Sequence, residues 1–151
     1  MPAPNKGPTM AIRVYHPADE RAVIDLWREC GLVVPQNDPR RDIERKVRVQ
    51  AELFLVGVVA GSIVATCMAG YEGHRGWINY LAVAPAHRRR GYGRLMVEGA
   101  AARLHALGCP KINLQVRQTN AAVIAFYRAI GFAVDDVVSL GKRLVADDQA
   151  P

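Results

Sequence analysis

Val83-Ala84-Pro85-Ala86-His87-Arg88-Arg89-Arg90-Gly91-Tyr92-Gly93-Arg94 joins a short apolar run, 77–83, to a periodic segment, 94–107. The stretch reads as the end of a strand, a glycine loop and the N-terminus of a helix. The first N–H groups of such a helix have no internal partner, and its dipole adds partial positive charge, so a phosphate is a natural occupant. Gly91 and Gly93 let the backbone come close to it, while Arg88, Arg89 and Arg90 add charge and forked donors suited to phosphate oxygens. A basic run by itself reads as a solvated surface. The strand before this one and the helix behind it make it an anion cradle instead.

Working outward, the helix that opens near Gly93 turns Met96, Ala100, Leu104 and Leu107 to one side, and Gly108-Cys109-Pro110 ends it. Residues 111–116 alternate, Ile112, Leu114 and Val116 against Lys111, Asn113 and Gln115, which is the pattern of a half-buried strand. Asn120 caps a helix bearing Val123, Ile124, Tyr127 and Ile130, closed by Gly131-Phe132. A last hairpin is expected from 132–134 and 137–144, turning at Asp135-Asp136. Upstream, residues 54–71 carry no charge and are nearly long enough to cross a membrane. Three glycines, frequent β-branched residues and a turn at Ala60-Gly61-Ser62 make a buried hairpin the better reading. Residues 12–15 form a first strand. Pro17, Asp19 and Glu20 then open a helix with Val23, Leu26, Trp27 and Cys30 on one face and Gly31 as its stop. Asp38-Pro39 caps a second helix, with Ile43, Val47 and Ala51 as its apolar stripe. The order β-α-α-β-β-β-α-β-α-β-β predicts an α/β fold, a central mixed sheet with helices on both faces.

The 151 residues are expected to make one domain, 10–146, between a loose N-terminal tail, 1–9, and a C-terminal tail, 147–151. The N-terminus holds three prolines and no apolar block, so it does not read as a signal peptide. Net charge is +6, concentrated in 40–48, in 88–94 and at Lys142-Arg143. Nucleic acid is disfavoured as a partner because no aromatic residues interleave with that charge as stacking platforms. Three cysteines are an odd number without metal spacing, which points to a reduced cytoplasmic setting and to no metal.

The cradle, the strand before it and the second strand-helix unit with Asn120 and Tyr127 together resemble the GNAT (N-acetyltransferase) superfamily, in which Q/R-x-x-G-x-G/A holds the pyrophosphate of acetyl-CoA. The likeness runs from Ile12 to Leu144. Closer still, Pro35-Gln36-Asn37-Asp38, Asp42-Ile43-Glu44-Arg45-Lys46, Gly70-Tyr71-Glu72-Gly73-His74-Arg75-Gly76 and Ser139-Leu140-Gly141-Lys142-Arg143-Leu144 are similar to the small bacterial YpeA-type members. The resemblance implies transfer of the acetyl group of acetyl-CoA to a primary amine by direct attack, the acceptor being a small metabolite or a protein or peptide amine, in a monomer or homodimer.

By that resemblance, Arg88, Arg89, Arg90, Gly91, Tyr92, Gly93 and Arg94 surround the pyrophosphate. Leu81 and Val83 offer backbone groups to the pantetheine arm where two parallel strands splay, and a backbone N–H near Leu81 or Ala82 meets the oxyanion. Asn120 bonds the pantetheine besides capping its helix. Tyr127 is the general acid toward the departing sulfur, two helical turns from Asn120; its other reading is an ordinary core ring. Many family members carry a glutamate on the strand before the cradle, but Trp77-Ile78-Asn79-Tyr80-Leu81 has none. Glu72 and His74 are left as candidates for the base, acting through a water, or for substrate contacts. The missing glutamate also keeps a second reading in play, a CoA-binding regulatory module without catalysis.

Overall fold

The uncharged run 54–71 folds back on itself. In the computed structural model, which describes residues 8–147, it forms β2 (Phe54–Val59) and β3 (Ser62–Tyr71). Ala60 and Gly61 make the turn, both at positive φ, 48° and 81°, as a two-residue hairpin matched to strand twist requires. Around this hairpin lie β1 (Ala11–Val14), β4 (Gly76–Val83) and β5 (Ile112–Asn113), in the order β1-β2-β3-β4-β5. All neighbours are antiparallel except β4 and β5, which run parallel. The mixed sheet with helices on both faces is the expected fold.

Each face of the sheet carries its own core. On one side Val23, Leu26 and Trp27 of α1 (Glu20–Glu29) and Ile43 of α2 (Pro39–Val47) pack on Phe54, Val56 and Met68. On the other, Met96, Ala100 and Leu104 of α3 (Tyr92–Ala106) and Tyr127 of α4 (Ala121–Ala129) pack on Leu55, Cys67 and Ile78. Strands that are apolar on both faces serve both cores. The helix starts follow the sequence signals. Asp38 accepts hydrogen bonds from the Arg40 and Arg41 N–H groups at 2.9 and 3.4 Å, with Pro39 in the first turn. Before α1, Asp19 accepts from the His16 N–H and, twice, from the Arg13 guanidinium, and the Arg13 bond, ahead of the other causes, holds its carboxyl below the usual range.

Four expectations are corrected. The stripe on α2 contributes only Ile43: the helix ends at Val47, which is 41% exposed, and Ala51 falls in a separate turn after Gln50 at φ 56°. Leu107 lies past the end of α3 and is exposed rather than inward. The strand expected at 111–116 pairs only at Ile112 and Asn113, although Ile112, Leu114 and Val116 do pack on the α3/α4 side. Alternation reports one buried face, not a ladder, and β4 draws away from this segment after two pairs. The last hairpin is absent: 133–145 have no helix or strand, since the shortened β5 gives them nothing to extend.

At the termini, the Tyr92 hydroxyl donates to the Pro8 carbonyl. Asp147, the first residue of the expected C-terminal tail, accepts from the Asp38 N–H at 2.8 Å and from Arg45 at 2.6 Å, its side chain 1% exposed. The rest of the expected tails, 1–7 and 148–151, lies outside the described residues. No helix among the described residues is long and apolar enough to cross a membrane.

Candidate active site

The site is built around an irregularity in β4. Thr66 pairs with Ala82 and Met68 with Asn79, so three steps along β4 match two along β3. The extra residue bulges the strand at Tyr80, whose φ is 49°. A bulky side chain at positive φ costs on the order of 1–3 kcal/mol and persists only where its surroundings enforce it. Here they do. The Trp27 indole N–H donates to Thr66 Oγ1 at 2.9 Å, and the Thr66 hydroxyl donates to the Tyr80 carbonyl at 2.8 Å. The Tyr80 ring stacks on Trp27 at 3.9 Å and 14°, and its hydroxyl donates to Asp42 on α2 at 2.5 Å. Burial, then this bond, raises the Tyr80 phenol above its ordinary pKa.

Beyond the bulge β4 has no partner on its β5 side. The two strands pair at Gly76 with Ile112 and at Trp77 with Asn113 only. Leu81, Ala82 and Val83, the backbone candidates, therefore sit on an open stretch of strand, with Leu81 and Val83 against the α3/α4-side core. Tyr127 reaches the same core from α4, 8% exposed and edge-on to Phe126 and Phe132 at 5.1 and 5.3 Å. Burial pushes its phenol well above the ordinary value, with a smaller contribution from Cys67, whose own thiol burial pushes up to about 12. Both groups are protonated at neutral pH. Tyr127 also borders an open cavity of ≈ 1520 Å³ between β5, α4 and the C-terminal segment.

The cradle follows Val83. A short turn, Pro85–His87, leads to Arg89 at φ 65° and Gly91 at φ 78°, and α3 begins at Tyr92 with no side-chain cap. Left-handed residues alternating in such a loop turn successive N–H groups to one side. The N–H groups of Tyr92, Gly93 and Arg94 make no hydrogen bond among the described residues, Leu95 being the first to find a helical carbonyl, that of Gly91, at 3.1 Å. A Cβ on Gly93 would meet the Phe126 ring at 3.3 Å and Val83 at 3.7 Å, so Gly93 is where α3, α4 and β4 converge.

The arginines divide. Arg88 folds back, donating to the Val83 carbonyl at 3.2 Å beside Cys30. Arg94 pairs along its helix with Glu98. Arg89 and Arg90 are exposed and, among the described residues, make no side-chain hydrogen bond or ion pair. Tyr92 turns inward, 5% exposed. Asn120 accepts from the Val123 N–H at 3.3 Å, capping α4, and lies about 10 Å of helix rise from Tyr127.

Glu72 and His74 are not brought to this end. Both are exposed in the loop before Gly76, where the Glu72 carboxylate accepts from the His74 and Arg75 N–H groups of its own turn. About 16 Å of β4 separates that loop from Leu81. Sequence reasoning missed Tyr80, Thr66 and Asp42. Only Trp27 stood out, as a core residue, because a positive φ in mid-strand at tyrosine has no signal in the sequence. No group of three or more His, Cys, Asp or Glu side chains with metal-binding placement occurs among the described residues.

An unpaired β4 edge leads into a helix N-terminus whose first N–H groups have no helical partner, and a buried phenol packs in the core that the same strand covers. The sequence profile of the Acetyltransferase (GNAT) family matches residues 20–132. The chain is 46% identical over 140 residues to the acetyltransferase YE1169 of Yersinia enterocolitica, covering 93% of this chain and 99% of that protein. It is equally 46% identical over 138 residues to the acetyltransferase ECA0875 of Pectobacterium atrosepticum, covering 91% and 98%. In fold it is similar to the PaiA N-acetyltransferase of Thermoplasma acidophilum, solved in complex with coenzyme A, with a TM-score of 0.75 at 18% identity over 86% of this chain and 93% of that one. The chain belongs to the GNAT acetyltransferase family.

Proposed function

We propose that the chain transfers the acetyl group of acetyl-CoA to a primary amine by direct attack, with the thioester lying along the open edge of β4. The observation that carries this reading is the parting of β4 from β5 beside Tyr127, with the α3 N-terminus at the end of the same strand. In it the pyrophosphate sits on the N–H groups of residues 91–94, with Arg89 and Arg90 as its free cations. The pantetheine amides pair with β4 at Leu81 and Val83, and Asn120 meets the arm near Tyr127.

In the chemical step the neutral amine nitrogen bonds to the thioester carbon. The oxyanion is held by a backbone N–H at Leu81 or Ala82, and the C–S bond then breaks. Tyr127 gives its proton to the departing sulfur and regains one from solvent, while the amide nitrogen loses its proton to water. The products are the acetamide and free CoA thiol. Burial disfavours both the thiolate and the tyrosinate, so the proton passes as charge gathers on sulfur in the same dry surroundings. Glu72 and His74 serve acceptor contacts from the far end of β4 and do not act as the base. The acceptor is a small amine metabolite or a protein or peptide amine, and the three unpaired thiols support a cytoplasmic setting.

Calorimetric titration with acetyl-CoA, dephospho-CoA and adenosine diphosphate tests the cradle and the open strand together. Binding is expected to need both the phosphates and the pantetheine arm. Adenosine diphosphate binding as tightly as acetyl-CoA would remove β4 from the site. A panel of primary amines, read by release of CoA thiol, then identifies the acceptor; tight acetyl-CoA binding without any transfer would leave a binding module.

A further inference from the structure

The chain beyond α4 links the two sides of β4. Phe132 stands edge-on to Tyr127 at 5.3 Å, and residues 133–135 and 137–140 line the cavity that Tyr127 borders. Lys111 pairs with Asp135 and Gln115 with Ser139, which holds the segment along β5. Farther on, Asp147 closes on the Asp38 N–H and on Arg45 of α2. Just before that anchor, residues 141–145 and Arg45 line a second open cavity, of ≈ 570 Å³. Its wall is tied to the bulge of β4, because Asp42 accepts from Arg45 at 3.2 Å with one oxygen and from the Tyr80 hydroxyl with the other.

Three cations meet at this cavity, and they are not equivalent. Arg45 is neutralised twice, by Asp42 and by Asp147. Lys142 makes no ion pair or side-chain hydrogen bond among the described residues. Arg143 donates to Asn37 Oδ1 at 3.1 Å and to the Val145 carbonyl at 3.5 Å, so neutral groups orient its guanidinium and, among the described residues, no carboxylate pairs with it. The acidic side chains nearby are already occupied. Asp42 serves Tyr80 and Arg45, Asp147 serves Arg45 and the Asp38 N–H from 1% exposure, and Asp38 caps α2 beside Arg41. A guanidinium fixed by neutral acceptors, with an ammonium next to it in the chain, is suited to a carboxylate or phosphate. A cationic group brought to the same place meets like charge with nothing to neutralise it.

We propose, on the transferase reading of the open β4 edge, that the amine acceptor carries an anionic group, a carboxylate or a phosphate, which Lys142 and Arg143 hold in the cavity beside Arg45 while its amine end reaches the thioester. A short line of contacts, Tyr80 to Asp42 to Arg45, joins the residue before Leu81 to the cavity wall. Lys142 and Arg143 determine specificity and take no part in bond making. They draw in an acceptor whose second charge is negative and turn away a diamine.

Release of CoA thiol is followed with ω-amino acids from glycine to 8-aminooctanoate, with the amide of each, and with ω-aminoalkyl phosphonates and diamines of like length. The dipeptides alanyl-glutamate amide and alanyl-glutamine amide add a peptide pair. The anionic member of at least one set is expected to exceed its amide in kcat/KM by roughly fivefold or more, with the diamine poorer than both. Phosphonate above carboxylate marks a phosphate-bearing acceptor, and the reverse marks a carboxylate. Arg143→Ala and Lys142→Glu are each expected to erase the preference with the KM for acetyl-CoA unchanged. Lys142→Glu has no native partner to lose, so it keeps the test sound if Arg143→Ala loosens the segment. Arg48→Ala removes an equal charge at the end of α2, outside the cavity, and is expected to leave the preference as it was. Acid and amide used alike, or a preference that survives both variants, overturns the proposal and leaves acetyl transfer standing. Transfer to none of the probes counts against the transferase reading, and thermal melting with saturating CoA then decides the anion site by itself. A melting temperature raised by the acids, but not by the amides and not in Lys142→Glu, supports the site; no such difference overturns it.

Discussion

Gly91 and Gly93 belong to one sequence motif but are expected to fail in different ways when replaced by alanine. At Gly91 there is open space, with nothing within 4 Å of an added Cβ, but φ is 78°. An L-residue held there costs about 1–2 kcal/mol, from which the stiffened unfolded chain returns about 0.4–1 kcal/mol. A net cost near ~1 kcal/mol remains, and it falls on the loop that gathers the N–H groups. If the loop relaxes, the cost appears as weaker acetyl-CoA binding, roughly fivefold to tenfold. If it holds its shape, the cost appears as a melting temperature lower by about 2–4 °C. At Gly93 the backbone is helical and the difficulty is the Phe126 ring, 3.3 Å from the added Cβ. That ring must give by a few tenths of an ångström, while alanine gains about 0.5–1 kcal/mol of helix propensity over glycine. Gly93→Ala is therefore expected to be nearly neutral in stability and to keep its affinity. Calorimetry with acetyl-CoA and thermal melting of both variants, with Gly91→Asn as the residue that tolerates a left-handed backbone, make the comparison. Gly91→Ala unchanged in both affinity and melting temperature would refute the reasoning, as would Gly91→Asn faring worse than alanine.

Tyr127→Phe is expected to lower turnover about 10²-fold or more with acetyl-CoA affinity retained; an unaltered rate across pH removes the acid role. Trp27→Phe keeps an aromatic ring on Tyr80 but deprives the buried Thr66 hydroxyl of its donor. About 1–3 kcal/mol of stability by denaturant titration and a drop in turnover are expected, whereas a stability loss with full turnover would detach the β4 bulge from catalysis. Arg45 and the Asp38 N–H hold the Asp147 carboxyl down at about 2, against roughly 3.9 in an unfolded chain. That anchor is present above about pH 4 and is lost as pH falls through about 2. Hydrogen exchange at the Asp38 N–H, which donates to Asp147, should rise over that window, and fast exchange there already near neutral pH would contradict it.

What the sequence disclosed depended on whether a signal was local. Asp38-Pro39 caps α2 because the aspartate and the N–H groups it serves are two and three residues apart. Ala60-Gly61 turns the hairpin for the same kind of reason, and the glycine loop before α3 was found from its neighbours in the chain. The failures involve partners distant in sequence. The alternation at 111–116 described a buried face correctly but carried no information on whether β4 would stay alongside. The apolar residues of 132–134 and 137–144 were read as strands because apolar residues usually cover one another, and among the described residues Val134, Val137, Val138, Leu140 and Leu144 stay exposed. Tyr80 was invisible for a further reason. Its backbone is held by Trp27, Thr66 and Asp42 from three other elements, against the preference of its own residue type.

The bulge at Tyr80 also changes how β4 should be counted. In a regular strand Ile78, Tyr80 and Ala82 share a face. Here Ile78 lies with Leu81 and Val83 on the α3/α4 side, while Tyr80 and Ala82 lie on the α1/α2 side. A strand one residue shorter, without the bulge, would deliver those same side chains to those same two cores. β4 thus holds one residue more than its packing requires. The surplus changes only the path of the main chain at Tyr80 and Leu81, where the sheet has already lost its neighbour, and the need it answers belongs to whatever lies against that edge.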